Sequence, residues 1–107
     1  MTEDLARETI VQDAAPISAA QLEQALAGLE GWTACDGGKA IRRAFETRNF
    51  ARAQVIAGLA GGVGEMAGHH PDIAYGWGYC RVTFTTHSAQ GVTRNDLICA
   101  ARLNAVA

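Results

Sequence analysis

Apolar residues recur at helical spacing in two stretches of the chain, a capping pattern marks a third helix near its end, and between them lie two pairs of stretches with the turns and alternation of hairpins. In the first helical stretch Leu22, Leu26 and Leu29 fall at i, i+4 and i+7. Ser18 stands at the cap position, Gln21 completes a capping box, and Ile17 with Leu22 has the spacing of a hydrophobic staple. Gly31 offers a stop, so the pattern predicts a helix over about residues 18–30. Trp32–Cys35 and Ala40–Glu46 then flank the turn tripeptide Asp36-Gly37-Gly38, which predicts a hairpin. Ile41, Arg43 and Phe45 share one side of its second strand; Arg42, Ala44 and Glu46 share the other. These mixed faces suit a sheet edge or an interface.

The second helical stretch covers residues 48–69, with Val55, Leu59, Gly62 and Met66 in one stripe. It holds Gly58, Gly61, Gly62, Gly64 and Gly68, and each interior glycine costs about 1 kcal/mol against alanine. Tertiary packing must make up that deficit. Gly58, Gly61, Gly62, Glu65 and His69 share a second face, where small residues leave room for a ligand or a neighbouring backbone. Pro71 ends the helix and pushes His70 toward an extended conformation. The next strands are Ile73–Trp77 and Cys80–His87. In the latter Cys80, Val82 and Phe84 alternate with Arg81, Thr83, Thr85 and His87. Thr93 caps a last helix, with Asp96 three residues on and Val92 stapling to Leu97; it runs through about Leu103.

The order is α-β-β-α-β-β-α. Hairpin strands make an antiparallel sheet, so the expected class is α+β, a four-stranded antiparallel sheet with three helices on one face. The bare face needs cover, and self-association is the simplest. Residues 1–17, acidic and closed by Pro16, are expected to be a flexible arm, or at best a short frayed helix; residues 18–107 form the single domain.

Composition narrows the function. Of 107 residues, 49% are hydrophobic and 19% charged, with a net charge of −2. That balance is globular and argues against nucleic-acid binding by bulk charge. No apolar run approaches the ~20 residues of a membrane span, and the acidic start lacks the pattern of a signal peptide; the expected location is the cytoplasm. Cys35, Cys80 and Cys99 are odd in number and contain no CxxC, so they read as small apolar residues. The glycine run 58–64 has no following Lys-Ser/Thr and does not follow a strand, which argues against a phosphate loop. Lys39, Arg42, Arg43, Arg48 and Arg52 read first as a solvated basic face, and second as a surface for an anionic partner.

All three histidines, His69, His70 and His87, lie in the last third of the chain. His69 follows Glu65 by one helical turn, close enough for the carboxylate to hold the ring. His70 points elsewhere because of Pro71. His87 continues the polar side of the last strand. Each alone is an ordinary surface residue; together they mark a pocket if the second hairpin packs beside the long helix. Three histidines and Glu65 could bind zinc, but adjacent histidines rarely face one centre and neither HxH nor HExxH occurs.

Glu65-x-x-x-His69-His70-Pro71, followed by Trp77, His87 and Asp96 after gaps of five, nine and eight residues, resembles the pattern of the pterin-4a-carbinolamine dehydratases. Gly31-Trp32, Phe45 and Phe50 are similar too, and the resemblance spans about residues 18–105. It implies an α+β fold and a homodimer or homotetramer. It also implies loss of water from a 4a-hydroxytetrahydropterin to give quinonoid dihydropterin, with an aromatic amino-acid hydroxylase as pathway partner. No metal or organic cofactor is implied. The resemblance places His69, His70 and His87 as the catalytic set, with His69 and His87 as acid and base and His70 anchoring the pterin. Glu65, Pro71, Trp32, Trp77 and Asp96 stand around the substrate: Glu65 orients His69, Pro71 fixes the turn, and the two tryptophans are apolar walls. For Asp96 a helix cap explains the residue as well. The alternative on the same fold is a non-catalytic dimerisation or assembly module.

Overall fold

Two hairpins join through their inner strands into one antiparallel sheet that carries helices on a single face. The computed structural model describes residues 2–107: α1 (Thr2–Ala6), α2 (Ala19–Ala27), β1 (Trp32–Cys35), β2 (Ala40–Glu46), α3 (Phe50–Ala67), β3 (Asp72–Gly76), β4 (Tyr79–Phe84) and α4 (Arg94–Val106). The sheet order is β1-β2-β4-β3. Ile41 pairs with Phe84 and Phe45 with Cys80, which puts the apolar alternation of β2 and β4 on one face. These residues and Val82 are buried in one cluster with Ile56 and Ala60 of α3 and Leu97, Ile98 and Leu103 of α4. Arg43 lies on this apolar face too. It reaches over the Phe45 ring at 4.2 Å and donates to Asn104 Oδ1 and the Glu30 carbonyl. The open face carries Arg42, Ala44, Arg81 and Thr83, with Arg42 Nε donating to Thr83 Oγ1 at 3.0 Å. It is polar, in contrast to the buried side.

Local signals set most boundaries. The Ser18–Gln21 capping box forms as the sequence predicts, with mutual bonds of 2.9 and 3.1 Å. The helix stops earlier than predicted, at Ala27, because Gly28 and Leu29 already turn the chain with tight i−3 bonds; Gly31 lies in the following turn. Asn49 caps α3 by accepting from Arg52 N at 2.8 Å. The last strand is also shorter than expected. It ends at Phe84, and Thr86 pairs with Gly91 instead, so His87 opens a short 3-10 turn (His87–Ala89) rather than closing a strand.

The N-terminal segment departs most from expectation. It is not a loose arm: α1 packs on α4 with Leu5 buried. Arg102 donates to the carbonyls of Ala6 (3.0 Å) and Glu8 (2.8 Å), supplying donors to the end of a helix. Asn95 exchanges two bonds with the backbone of Val11 (2.9 and 2.7 Å), and Arg94 forks onto Glu8 (2.9 and 2.6 Å). Composition cannot reveal such a tie, because its partners lie more than 80 residues away.

Candidate active site

The centre of the site is built where α3 ends. Gly68 takes the left-handed conformation (φ 64°), and His69 N–H bonds back to the Gly64 carbonyl at 2.9 Å. The chain thus reverses over the helix end, and a Cβ on Gly64 would lie 2.5 Å from Pro71 Cδ and 3.0 Å from the His69 carbonyl. The close approach of backbone to this helix thus falls at Gly64, not on the face of Gly58, Gly61 and Gly62 where room for a ligand or backbone was expected; those three have open space around them.

The reversal turns the two adjacent imidazoles to different partners. His69 Nε2 meets Asp96 Oδ1 at 2.5 Å, with the carboxylate fully buried and the ring 15% exposed. The ring also stacks on Phe84, with centroids 6.0 Å apart and planes at 14°. Asp96 is held in turn: Oδ2 accepts from Thr93 N–H and from the Thr86 hydroxyl, both at 2.8 Å. His69 Nδ1 has no hydrogen-bond partner among the described residues. His70 Nε2 bonds Glu65 Oε1 at 2.8 Å in an exposed pair. The predicted Glu65–His69 contact is therefore replaced by Glu65–His70, because the helix ends before residue 69 and helical i+4 geometry no longer applies there.

His87 projects from the 3-10 turn into a cavity of about 480 Å³, whose other walls are Asp36, Lys39, Ala40, Thr85 and Gln90. That size suits a small organic ligand, for which ~300–1,000 Å³ is usual. His69 and His70 are not among its lining residues. The link between the histidines is the chain itself: Thr86, which holds Asp96, directly precedes His87.

Two expected walls lie elsewhere. Trp32 is buried, donates Nε1–H to Asn104 Oδ1 at 2.8 Å, and touches the far ring of the stack, Phe84, at 5.9 Å. It supports the site from behind. Trp77 is 69% exposed in the β3–β4 turn, at the opposite end of that hairpin from His69 and His87. Five strand residues separate the two ends, about 16 Å, so Trp77 does not line the same cleft of this chain. Thr86 and Thr93 are what sequence reasoning missed; Thr93 was visible only as a cap. Among the described residues no group of three or more His, Cys, Asp or Glu side chains is gathered as metal ligands.

Burial disfavours the thiolate at all three cysteines, least at half-buried Cys35. It raises the thiols of Cys35 and Cys80 and pushes that of Cys99 up to about 12.

A four-stranded α+β domain with a carboxylate-held imidazole at a helix end has the parts of a small acid–base catalyst. Comparison with known proteins makes the class specific. The family model described as pterin 4 alpha carbinolamine dehydratase matches residues 15–106, and the chain belongs to that family. A Paracoccus denitrificans protein, named provisionally as a pterin-4-alpha-carbinolamine dehydratase, is 55% identical over 101 residues, 94% of each chain. A Methylococcus capsulatus protein of the same provisional name is 40% identical over 92 residues, 86% of this chain and 81% of that protein. Among solved structures, a transcriptional coactivator/pterin dehydratase from Brucella melitensis superposes with a TM-score of 0.79 at 34% identity, covering 86% of this chain and 98% of its own. A pterin dehydratase-like RuBisCO assembly factor of the alpha-carboxysome shares the fold, at TM-score 0.59 and 19% identity over 71% of this chain and 88% of its own.

Proposed function

We propose that this protein is a hydro-lyase that dehydrates 4a-hydroxytetrahydrobiopterin or a close pterin analogue to the quinonoid dihydropterin, without metal or organic cofactor. The observation that carries the reading is the His69–Asp96 pair, with its ring nitrogen Nδ1 left for a ligand, in a chain of this family. In the reaction the C4a–O bond breaks, N5 loses its proton, and a C4a=N5 double bond forms, so one water leaves. One group must protonate the departing hydroxyl and another must take the N5 proton. His69 and His87 fill these roles, each contributing roughly 10²–10⁴-fold. Asp96 orients His69, the Glu65–His70 pair anchors the pterin, and Pro71 fixes the turn that separates the two imidazoles. The reading includes a cytoplasmic homodimer or homotetramer serving an aromatic amino-acid hydroxylase in pterin recycling.

A second reading, a binding module for other proteins, draws on the description of the similar Brucella melitensis protein as a transcriptional coactivator. A dehydration assay with 4a-hydroxytetrahydropterin separates the two. The parent is expected to accelerate water loss, His70→Ala to raise KM, and His69→Ala/His87→Ala to lose the acceleration while keeping its circular dichroism. A folded double variant as fast as the parent refutes the acid–base assignment. A parent without acceleration favours the module.

A further inference from the structure

We propose that Thr86 is a positioning residue of this site: its hydroxyl fixes the carboxylate that holds His69, and its backbone fixes the turn that begins at His87. The proposal deepens the dehydratase reading and rests on it for the roles of the two imidazoles.

Thr86 Oγ1 donates to Asp96 Oδ2 at 2.8 Å and lies 2.9 Å from Thr93 Oγ1. A hydroxyl has one proton, so with that proton on Asp96 the Thr93 hydroxyl is the donor to Thr86. Asp96 Oδ2 thus receives two donors, the Thr86 hydroxyl and Thr93 N–H, while Oδ1 is turned to His69 Nε2. Two donors on one oxygen set the rotation of the carboxylate, and the carboxylate sets the imidazole. The backbone of Thr86 does a second task. Its N–H donates to the Gly91 carbonyl at 3.0 Å, and its carbonyl accepts from Ala89 N–H at 3.1 Å, closing the loop that presents His87. Among the described residues, Thr86 alone has its side chain on the His69–Asp96 pair and its backbone in that loop. Remove the hydroxyl and the pair loses one of its two anchors, although no atom of Thr86 need touch substrate.

Thr86→Val keeps the branched shape and deletes the hydroxyl; Thr86→Ser keeps the hydroxyl. In the dehydration assay Thr86→Val is expected to lower kcat about 10–100-fold, as loss of an orienting partner does, with KM within about twofold, and Thr86→Ser to return kcat to within about threefold of the parent. The ¹⁵N spectrum of the His69 ring in the unliganded protein gives a readout independent of turnover. One sharp pair of ring-nitrogen signals in the parent should shift or broaden in Thr86→Val and return in Thr86→Ser. A folded Thr86→Val protein with parental kcat and parental His69 signals overturns the proposal, and Thr86→Ala serves in its place if the valine variant unfolds. Should the parent itself lack dehydratase activity, the functional reading fails while the ring spectra still decide the positioning: altered and serine-restored signals uphold it, unchanged signals overturn it.

Discussion

The glycines of α3 set up a substitution whose sign reverses within two turns of one helix. Gly58, Gly62 and Gly64 are all interior to α3, so replacing any of them with alanine gains about 0.5–1 kcal/mol from backbone propensity. At Gly58 and Gly62 a Cβ meets nothing within 4 Å, so Gly58→Ala and Gly62→Ala are expected to stabilise by that amount. At Gly64 the added atom would lie 2.5 Å from Pro71 Cδ, 3.0 Å from the His69 carbonyl and 3.3 Å from His70 Cα. An unstrained carbon contact is about 3.5–4.0 Å, and what is struck is a proline ring and main chain, which cannot swing aside. The reversal must therefore move by about 1 Å, and overpacking of this kind costs about 1–3 kcal/mol. Net of the propensity gain, Gly64→Ala should destabilise by up to about 2 kcal/mol. For a domain of this size 1 kcal/mol is about 4–8 °C in Tm, so the variants should separate clearly in urea or thermal unfolding. Because the displaced atoms belong to His69, His70 and Pro71, dehydration should also fall, by about 10²-fold for a 1 Å misplacement. A Gly64→Ala protein as stable and active as Gly58→Ala would refute the close-approach argument. If Gly58→Ala or Gly62→Ala destabilised instead, something would have to pack on that helix face in solution.

The remaining predictions concern the thiols and the N-terminal tie. With the Cys99 thiol at about 12, its thiolate is about one part in ten thousand at pH 8; half-buried Cys35 should react first with a thiol reagent, and Cys80 and Cys99 only on unfolding. The Glu8 carboxyl is held below its ordinary value, chiefly by its hydrogen bond from Arg94. Its contribution is therefore present at neutral pH and fades as pH falls through the lowered value. The pair is partly exposed and worth less than about 1 kcal/mol, so the urea midpoints of the parent and Glu8→Gln should differ slightly at pH 7 and converge in acid; an equal gap at both pH values would refute the pairing.

What the sequence made legible was whatever depends on neighbours within about four residues. The Ser18–Gln21 box, the Asp36-Gly37-Gly38 hairpin, the alternation of Cys80, Val82 and Phe84, and the stop before Pro71 are all local, and they were enough to imply the α+β architecture. Partner choice was not local. Helical spacing assigned Glu65 to His69; one left-handed residue, Gly68, redirected it to His70. The polar composition of residues 1–15 suggested a loose arm. Leu5 is nevertheless buried, and Glu8 and the backbone of Ala6 and Val11 are matched by Arg94, Asn95 and Arg102 at the other end of the chain. Trp77 satisfied a motif gap yet sits at the far end of its hairpin, because gap lengths count residues and not directions.

Asp96 shows why a local explanation can be correct and incomplete. The sequence offered two readings for it, a helix cap and a site residue, as though one excluded the other. A carboxylate has two oxygens, and the structure divides the work: Oδ2 accepts from Thr93 N–H at the start of α4, while Oδ1 faces His69. The cap is what makes the second role usable. An imidazole can be held in one orientation only by a partner that is itself fixed, and this carboxylate is anchored by a helix terminus and the Thr86 hydroxyl rather than by a mobile loop. Full burial removes competing water from both oxygens. The feature that makes Asp96 look merely structural is thus the physical condition for its orienting His69.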